Sequence, residues 1–167
     1  VADSRSVIEY VLTFEDATLS GTITTAVDGK RTRFGIDEHF HPELTNCLFY
    51  SSMGAMGALQ LAIGIYERDY CQPLCIEEIT SQAVANKLLS LGVNCGVGTA
   101  ARMLQGILHV DGDGRIGPIT LDHLDRADPQ TVLDRLKETA TAYYERLIER
   151  NPLFEQYRAG WMRRAAA

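Results

Sequence analysis

Apolar residues near the start of the chain recur at three- and four-residue intervals, Val7, Val11 and Phe14 with Ile8 and Leu12 beside them, which is the stripe of an amphipathic helix. Ser6-Val7-Ile8-Glu9 has the form of a capping box, so the pattern predicts a helix that starts near Val7 and brings Glu15 to its C-terminal end. The period then drops to two. Residues 22–27, the pair Asp28-Gly29 and residues 30–35 predict a β-hairpin closed by a two-residue turn. Counting outward from that turn sets Thr25 opposite Thr32 and Ile23 opposite Phe34 on a packed face, and Ala26 opposite Arg31 and Thr24 opposite Arg33 on a wet one. Helical spacing returns at Met56, Leu59, Ile63, Tyr66 and Tyr70 and stops before Cys71-Gln72-Pro73. Further helices are expected over about 80–90 and 99–108, separated by the glycine-punctuated residues 91–98. Asp128-Pro129 opens a long helix through Val132, Leu133, Leu136, Ala140, Tyr143 and Leu147, which Asn151-Pro152 ends. The expected fold class is mainly α (α+β), with one small hairpin after the first helix.

With 167 residues and 46% hydrophobic content, the chain can bury one good core or two small lobes packed together. A net charge of −6 disfavours nucleic acid as a partner. No apolar run approaches the roughly 20 residues of a membrane span, and the first residues lack the apolar core of a signal peptide. The routes of export left open are a lysis pore, a secretion apparatus, or a larger precursor from which this segment is taken. Cys47, Cys71, Cys75 and Cys95 read as mostly buried thiols, with room for one disulfide in an oxidising compartment and no zinc site. The glycine stretch lacks the lysine and hydroxyl residue of a phosphate loop. A calcium loop spanning Asp111-Gly112-Asp113-Gly114 would have His109 first and Thr120 last, without the bidentate acid, so a turn feeding a helix at Pro118 is expected instead. His39 and His41 read as solvated loop residues. No metal and no cofactor is called for.

A carboxylate at the end of a helix, followed directly by a small hairpin, suits a proton donor held over a groove. Glycoside hydrolysis needs such an acid in a partly apolar setting, and Phe14 with the Ile23/Phe34 face are the candidates to supply it. The stretch Val11-Leu12-Thr13-Phe14-Glu15, then Thr32-Arg33-Phe34-Gly35-Ile36, then Ile65-Tyr66-Glu67-Arg68-Asp69-Tyr70, resembles the glycoside hydrolase family 108 N-acetylmuramidases. Gly92-Val93-Asn94-Cys95-Gly96, Leu104-Gln105, residues 113–121 and Gly160-Trp161-Met162-Arg163-Arg164 resemble the peptidoglycan-binding region that follows that catalytic domain. The resemblance implies a lysozyme-like helical fold, cleavage of the β-1,4 bond between N-acetylmuramic acid and N-acetylglucosamine, and Glu15 as the catalytic acid. It also implies two parts, a catalytic lobe with the hairpin over residues 1–87 and a helical peptidoglycan-binding lobe over 88–167, packed as one unit. The sequence departs from the family pattern in three places. Asp16-Ala17 replaces two glycines, the Pro/Gly-rich loop is cut short, and Arg33, Phe34 and Asp37 stand where the family has Asn, Tyr and often Thr.

The second catalytic group is a choice among Asp37, the preferred carboxylate, and a polar residue that orients water, Thr32 or Thr25. Asp16 and Asp28 read better as turn and cap residues. Thr32, Tyr70 and Asn94 are the candidates to line the sugar groove, since aromatic faces and amides suit N-acetylated sugars. The expected partner is the peptidoglycan glycan strand, met in the periplasm or cell wall during lysis or antibacterial attack, with an immunity or inhibitor protein as a further candidate. The rival readings are a catalytically silent module that binds cell wall or a partner protein, and a lytic transglycosylase using the same acid.

Overall fold

The computed structural model describes residues 1–26 and 28–167. Its architecture is mainly helical with one small antiparallel sheet, as the sequence pattern predicts. In chain order the elements are α1 (Ser4–Glu15), β1 (Thr24–Thr25), β2 (Arg31–Arg33), β3 (Ile36–Asp37), α2 (Ala55–Tyr66), α3 (Gln82–Cys95), α4 (Val97–Leu108), α5 (Pro118–Arg126), α6 (Pro129–Arg150) and α7 (Arg158–Ala166). A π turn, Glu67–Cys71, carries α2 onward past Tyr70.

α3 is the central strut. It packs against α1, α4 and α6, and its buried positions run Val84, Ala85, Lys87, Leu88, Leu89, Ser90, Leu91 and Gly92, nearly all the way round the helix. Its position explains why residues 91–98 do not act as a linker. The helix continues through Gly92 and Asn94, and only Gly96, at φ +90°, breaks it from α4. Gly92 is needed for packing, because a Cβ there would lie 2.6 Å from Leu74 Cδ1. The expected boundary between residues 87 and 88 falls within α3.

α1 is capped by Asp3, whose carboxylate accepts the Ser6 backbone N–H at 2.9 Å, so the helix starts earlier than the expected Ser6–Glu9 box. Glu9 pairs instead with Arg5 at 2.9 Å. In α6 the buried stripe is Val132, Leu136, Ala140, Tyr144 and Ile148, with Tyr143 and Leu147 only half-buried beside it. Met56, expected on the apolar face of α2, is 80% exposed.

The sheet departs most from expectation. β1 pairs with β2 as Thr24 to Thr32 and Thr25 to Arg31, one residue out of the expected register. Ala26 N–H reaches Lys30 O at 2.8 Å and Gly29, at φ +82°, bonds Ala26 O, the arrangement of a loop one residue longer than the expected turn. Val27, part of the expected strand, lies outside the described residues. The two-residue turn falls at Phe34-Gly35 instead, with positive φ at both (+50° and +75°), and folds β3 back on β2. Arg33, expected on a wet face, is buried. Its guanidinium donates at 2.8 Å to each of the carbonyls of Gly21, Phe49 and Met53, which converts a charged strand residue into a loop anchor.

Candidate functional site

Glu15 ends α1 facing the Phe34-Gly35 turn. A Cβ on Gly35 would lie 2.5 Å from Tyr66 Oη and 2.9 Å from Glu15 Cγ, so only glycine admits this contact. Tyr66 is fully buried and donates its hydroxyl to Phe34 O at 3.0 Å, locking the turn against α2. Burial, followed by the Glu15 charge and then Tyr70, holds the Tyr66 phenol protonated well above its ordinary range. Burial, Asp69 and Glu15 push Tyr70 the same way, so both tyrosine rings sit within the field of the Glu15 carboxylate. Tyr66 and Tyr70 are in ring contact, with centroids 5.7 Å apart.

The opposite wall comes from the far end of the chain. Arg164 Nη2 donates to Glu15 Oε1 at 2.6 Å, with the Arg164 side chain 8% and Glu15 21% exposed. The guanidinium lies 4.9 Å over the Phe14 ring and also reaches Ser90 O and Oγ at 3.3 and 3.2 Å. α7 is held in turn by Lys87, whose Nζ donates to Arg164 O and Ala165 O at 2.7 and 2.6 Å and closes the helix C-terminus. Burial, with Lys137 and Arg164 adding to it, pushes Lys87 down to about 8. Among the described residues no hydrogen bond reaches Glu15 Oε2, so one carboxylate oxygen is fixed and the other makes no hydrogen bond.

Thr32 and Asp37 are direct cross-strand partners on β2 and β3, half-exposed, and Asp37 is two residues from Gly35. Asp37 Oδ1 accepts the His39 backbone N–H at 2.7 Å, which orients one of its oxygens. Thr25 lies on exposed β1, opposite Arg31. Tyr70 sits in the π turn after α2, half-buried. Asn94 accepts the Tyr144 hydroxyl at 2.8 Å and shares a cavity of about 270 Å³ with Phe14 and Arg164. Glu15 and Tyr70 thus converge at the turn, Thr32 and Asp37 form a pair on the sheet beyond it, and Asn94 stands on the α7 side. Asp16 is a cap: despite partial burial, the N–H groups of Gly21 and Ser20 and the hydroxyls of Thr18 and Ser20 hold it below the usual carboxylate range.

Residues 99–166 match the family model described as Predicted Peptidoglycan domain. The match begins in α4 and ends at the last residue of α7, so it includes Trp161, Arg163 and Arg164. The whole fold is similar to a solved structure of SagA from Brucella abortus, with a TM-score of 0.75 over 98% of this chain and 89% of that chain, at 19% identity. No curated protein matches the chain.

Sequence reasoning missed Arg164 as the partner of Glu15, since the two are 149 residues apart. It also missed Glu38. This carboxylate takes Arg31 Nη2 at 2.5 Å, Arg31 Nε at 2.9 Å and Thr45 Oγ1 at 2.9 Å, and Arg31 above all holds it down at about 2. Arg31 also reaches Tyr50 O, so the pair ties the loop after β3 to the sheet. In the Asp113 turn, Gln105 Nε2 bonds Asp113 Oδ1 at 2.7 Å and Arg115 O at 2.9 Å, the turn expected before Pro118. All four cysteines are free thiols, with Cys71 and Cys95 pushed up by burial to about 12 and about 11. No helix among the described residues is long and apolar enough to cross a membrane.

Proposed function

We propose that the protein is a peptidoglycan hydrolase, an N-acetylmuramidase of the kind that glycoside hydrolase family 108 comprises, with Glu15 as the catalytic acid. The observation that carries this reading is the setting of Glu15. Its carboxylate is wedged between a turn that only Gly35 permits and an arginine supplied by the segment matching a peptidoglycan domain. Arg164 fixes Oε1 and leaves Oε2 to face the leaving glycosidic oxygen. The acid gives its proton to that oxygen as the bond to the muramic acid anomeric carbon breaks. Asp37, oriented by the His39 N–H, or its neighbour Thr32 then guides the water that adds to the anomeric carbon, and the proton this water releases passes to the Asp37 carboxylate or, where Thr32 orients the water, back to Glu15. In this reading Tyr70, at the turn, and Asn94, on the α7 side, contact the glycan on either side of Glu15. Action on the cell wall follows from this substrate, in lysis or antibacterial attack.

One observation favours a second reading, a module that binds peptidoglycan without cutting it. The ion pair between Glu15 and the nearly buried Arg164 ties α1 to α7, a structural task that needs no turnover. Digestion of purified peptidoglycan by the wild type and by Glu15→Gln, with products identified by mass spectrometry, separates the two. Reducing muramic acid ends released by the wild type alone are the expected result. Anhydro ends would make it a transglycosylase, and binding without products from either protein would establish the binding module.

A further inference from the structure

Beyond Glu15, on the α7 side, lies a second surface of which the hydrolytic step uses only Asn94 and Arg164. Trp161 stacks on Tyr144 with centroids 5.1 Å apart and planes 22° apart, and Tyr157 covers it at 5.6 Å and 30°. Phe154 meets its edge at 5.7 Å. Of this stack, Tyr157 and Trp161 line the cavity of about 270 Å³, which is bounded also by Phe14, Asn94, Arg163 and Arg164. Tyr157 is 49% exposed, a large apolar ring left open to solvent at the cavity mouth. Arg164 is committed to Glu15 and Ser90, but among the described residues the Arg163 side chain makes no hydrogen bond or ion pair, in a chain whose net charge is −6. The cavity touches the Glu15 site directly, because Phe14 and Arg164 belong to both.

Aromatic planes suit the apolar faces of a sugar ring, the exposed Asn94 amide suits an acetamido group, and an unpaired guanidinium suits a carboxylate. The volume lies below the roughly 300–1,000 Å³ of a drug-sized pocket, which fits one sugar unit with its appended group. We propose that this cavity is a recognition subsite for a glycan unit bearing a carboxylate-containing peptide stem, with the open face of Tyr157, backed by Trp161, taking the sugar and Arg163 taking the stem carboxylate. The proposal rests on the reading of the Glu15 groove as a glycan site and specifies which units of the strand it accepts: stem-bearing ones are favoured over bare N-acetylglucosamine polymer.

Trp161 is the single tryptophan of the chain, so its emission reports on this cavity alone. Wild-type protein, in which Arg164 keeps its Glu15 partner, is titrated with N-acetylglucosaminyl-N-acetylmuramyl tetrapeptide, which has no muramic acid-to-glucosamine bond to cut, and, separately, with chitotetraose. The expected result is a saturable emission change with the disaccharide peptide and binding about tenfold weaker for chitotetraose, the loss of one charge-assisted contact. Arg163→Gln should bring the disaccharide peptide to the chitotetraose level, and Tyr157→Ala should weaken both ligands. No emission change at millimolar disaccharide peptide would overturn the subsite, and so would equal binding of the two ligands or an Arg163→Gln variant that binds as its parent does. The outcomes also separate this proposal from the hydrolase reading. Product release without a tryptophan response leaves the hydrolase and removes the subsite, whereas a saturable, Arg163-dependent response without products leaves the subsite and removes the hydrolase.

Discussion

The two walls of the candidate site are built by different physics. On the α7 side, α3, α4 and α6 meet through buried apolar positions, among them Leu88, Ala100, Leu104, Leu136 and Ala140. On the sheet side three strands of two or three residues cannot support themselves, and charged side chains hold the region together. Arg33 gathers the carbonyls of Gly21, Phe49 and Met53, and the Arg31–Glu38 pair fastens the loop that follows β3. Apolar packing spreads its stabilisation over many small contacts and tolerates a shift of one of them. A directional network has few members, and the loss of one frees a whole segment. The comparison teaches that Glu15 is carried by the robust side and faces the fragile one.

The largest expected effects test that contrast directly. Leu104→Ala should destabilise the whole molecule by about 3 kcal/mol, as a cavity in a packed core does. Arg33→Met should cost a similar amount, about 3 kcal/mol, by orphaning three carbonyls, but the loss should be local. Hydrogen exchange tells them apart: in Arg33→Met the amides of β2, β3 and residues 48–53 should open while those of α3 and α6 keep their protection. Uniform loss of protection in both variants would remove the distinction. Next in size is Gly35→Ala. The left-handed φ of +75° costs about 1–2 kcal/mol with a Cβ, and the methyl group must displace Tyr66 or Glu15. If Glu15 is the acid, a displacement of this scale should lower kcat about a hundredfold while the melting temperature falls by only a few degrees. Unchanged kcat in a folded Gly35→Ala protein would show that the turn does not aim the acid.

The same contrast decides what the sequence made legible. Periodic apolar stripes are local signals, so α1, α4 and α6 and the placing of Glu15 at the end of α1 could be read directly, as could the Asp128 cap and the turn before Pro118. Register is not a local signal when strands are this short. Asp28-Gly29 looked like the tight turn, but the glycine that the fold uses for one is Gly35, chosen by Tyr66 and Glu15 packing behind it. A glycine inside a strand pattern does mark close backbone approach, and this was the signal that could have found it. Arg33 reads as a wet-face charge and Glu38 gives no signal of its own because their partners come from loops with no periodicity, and Arg164 reaches Glu15 across almost the whole chain. Thr32 and Asp37 were named separately, and the second hairpin makes them neighbours.

The smallest expected effect is one of pH. Glu38 stands at about 2 in the folded protein against an ordinary value of 4.5, so between those limits the unfolded chain binds more protons than the folded one. Its contribution is therefore complete above about pH 4.5 and drains away as the pH falls toward 2. Asp128 is also held low, by its bonds from Thr131, but it caps one helix end and its protonation loosens a single turn of α6. Glu38 carries four hydrogen bonds across the sheet and the following loop. Acidification should thus raise exchange at the Arg31 and Glu38 amides before it does so within α6, and Glu38→Gln should flatten that dependence while leaving the α6 amides as they were. Loss of protection in α6 first, or an unaltered acid response in Glu38→Gln, would mean that the sheet side is held by its apolar residues Phe34, Ile36 and Phe49 after all, and that the two walls of the site differ less than their chemistry suggests.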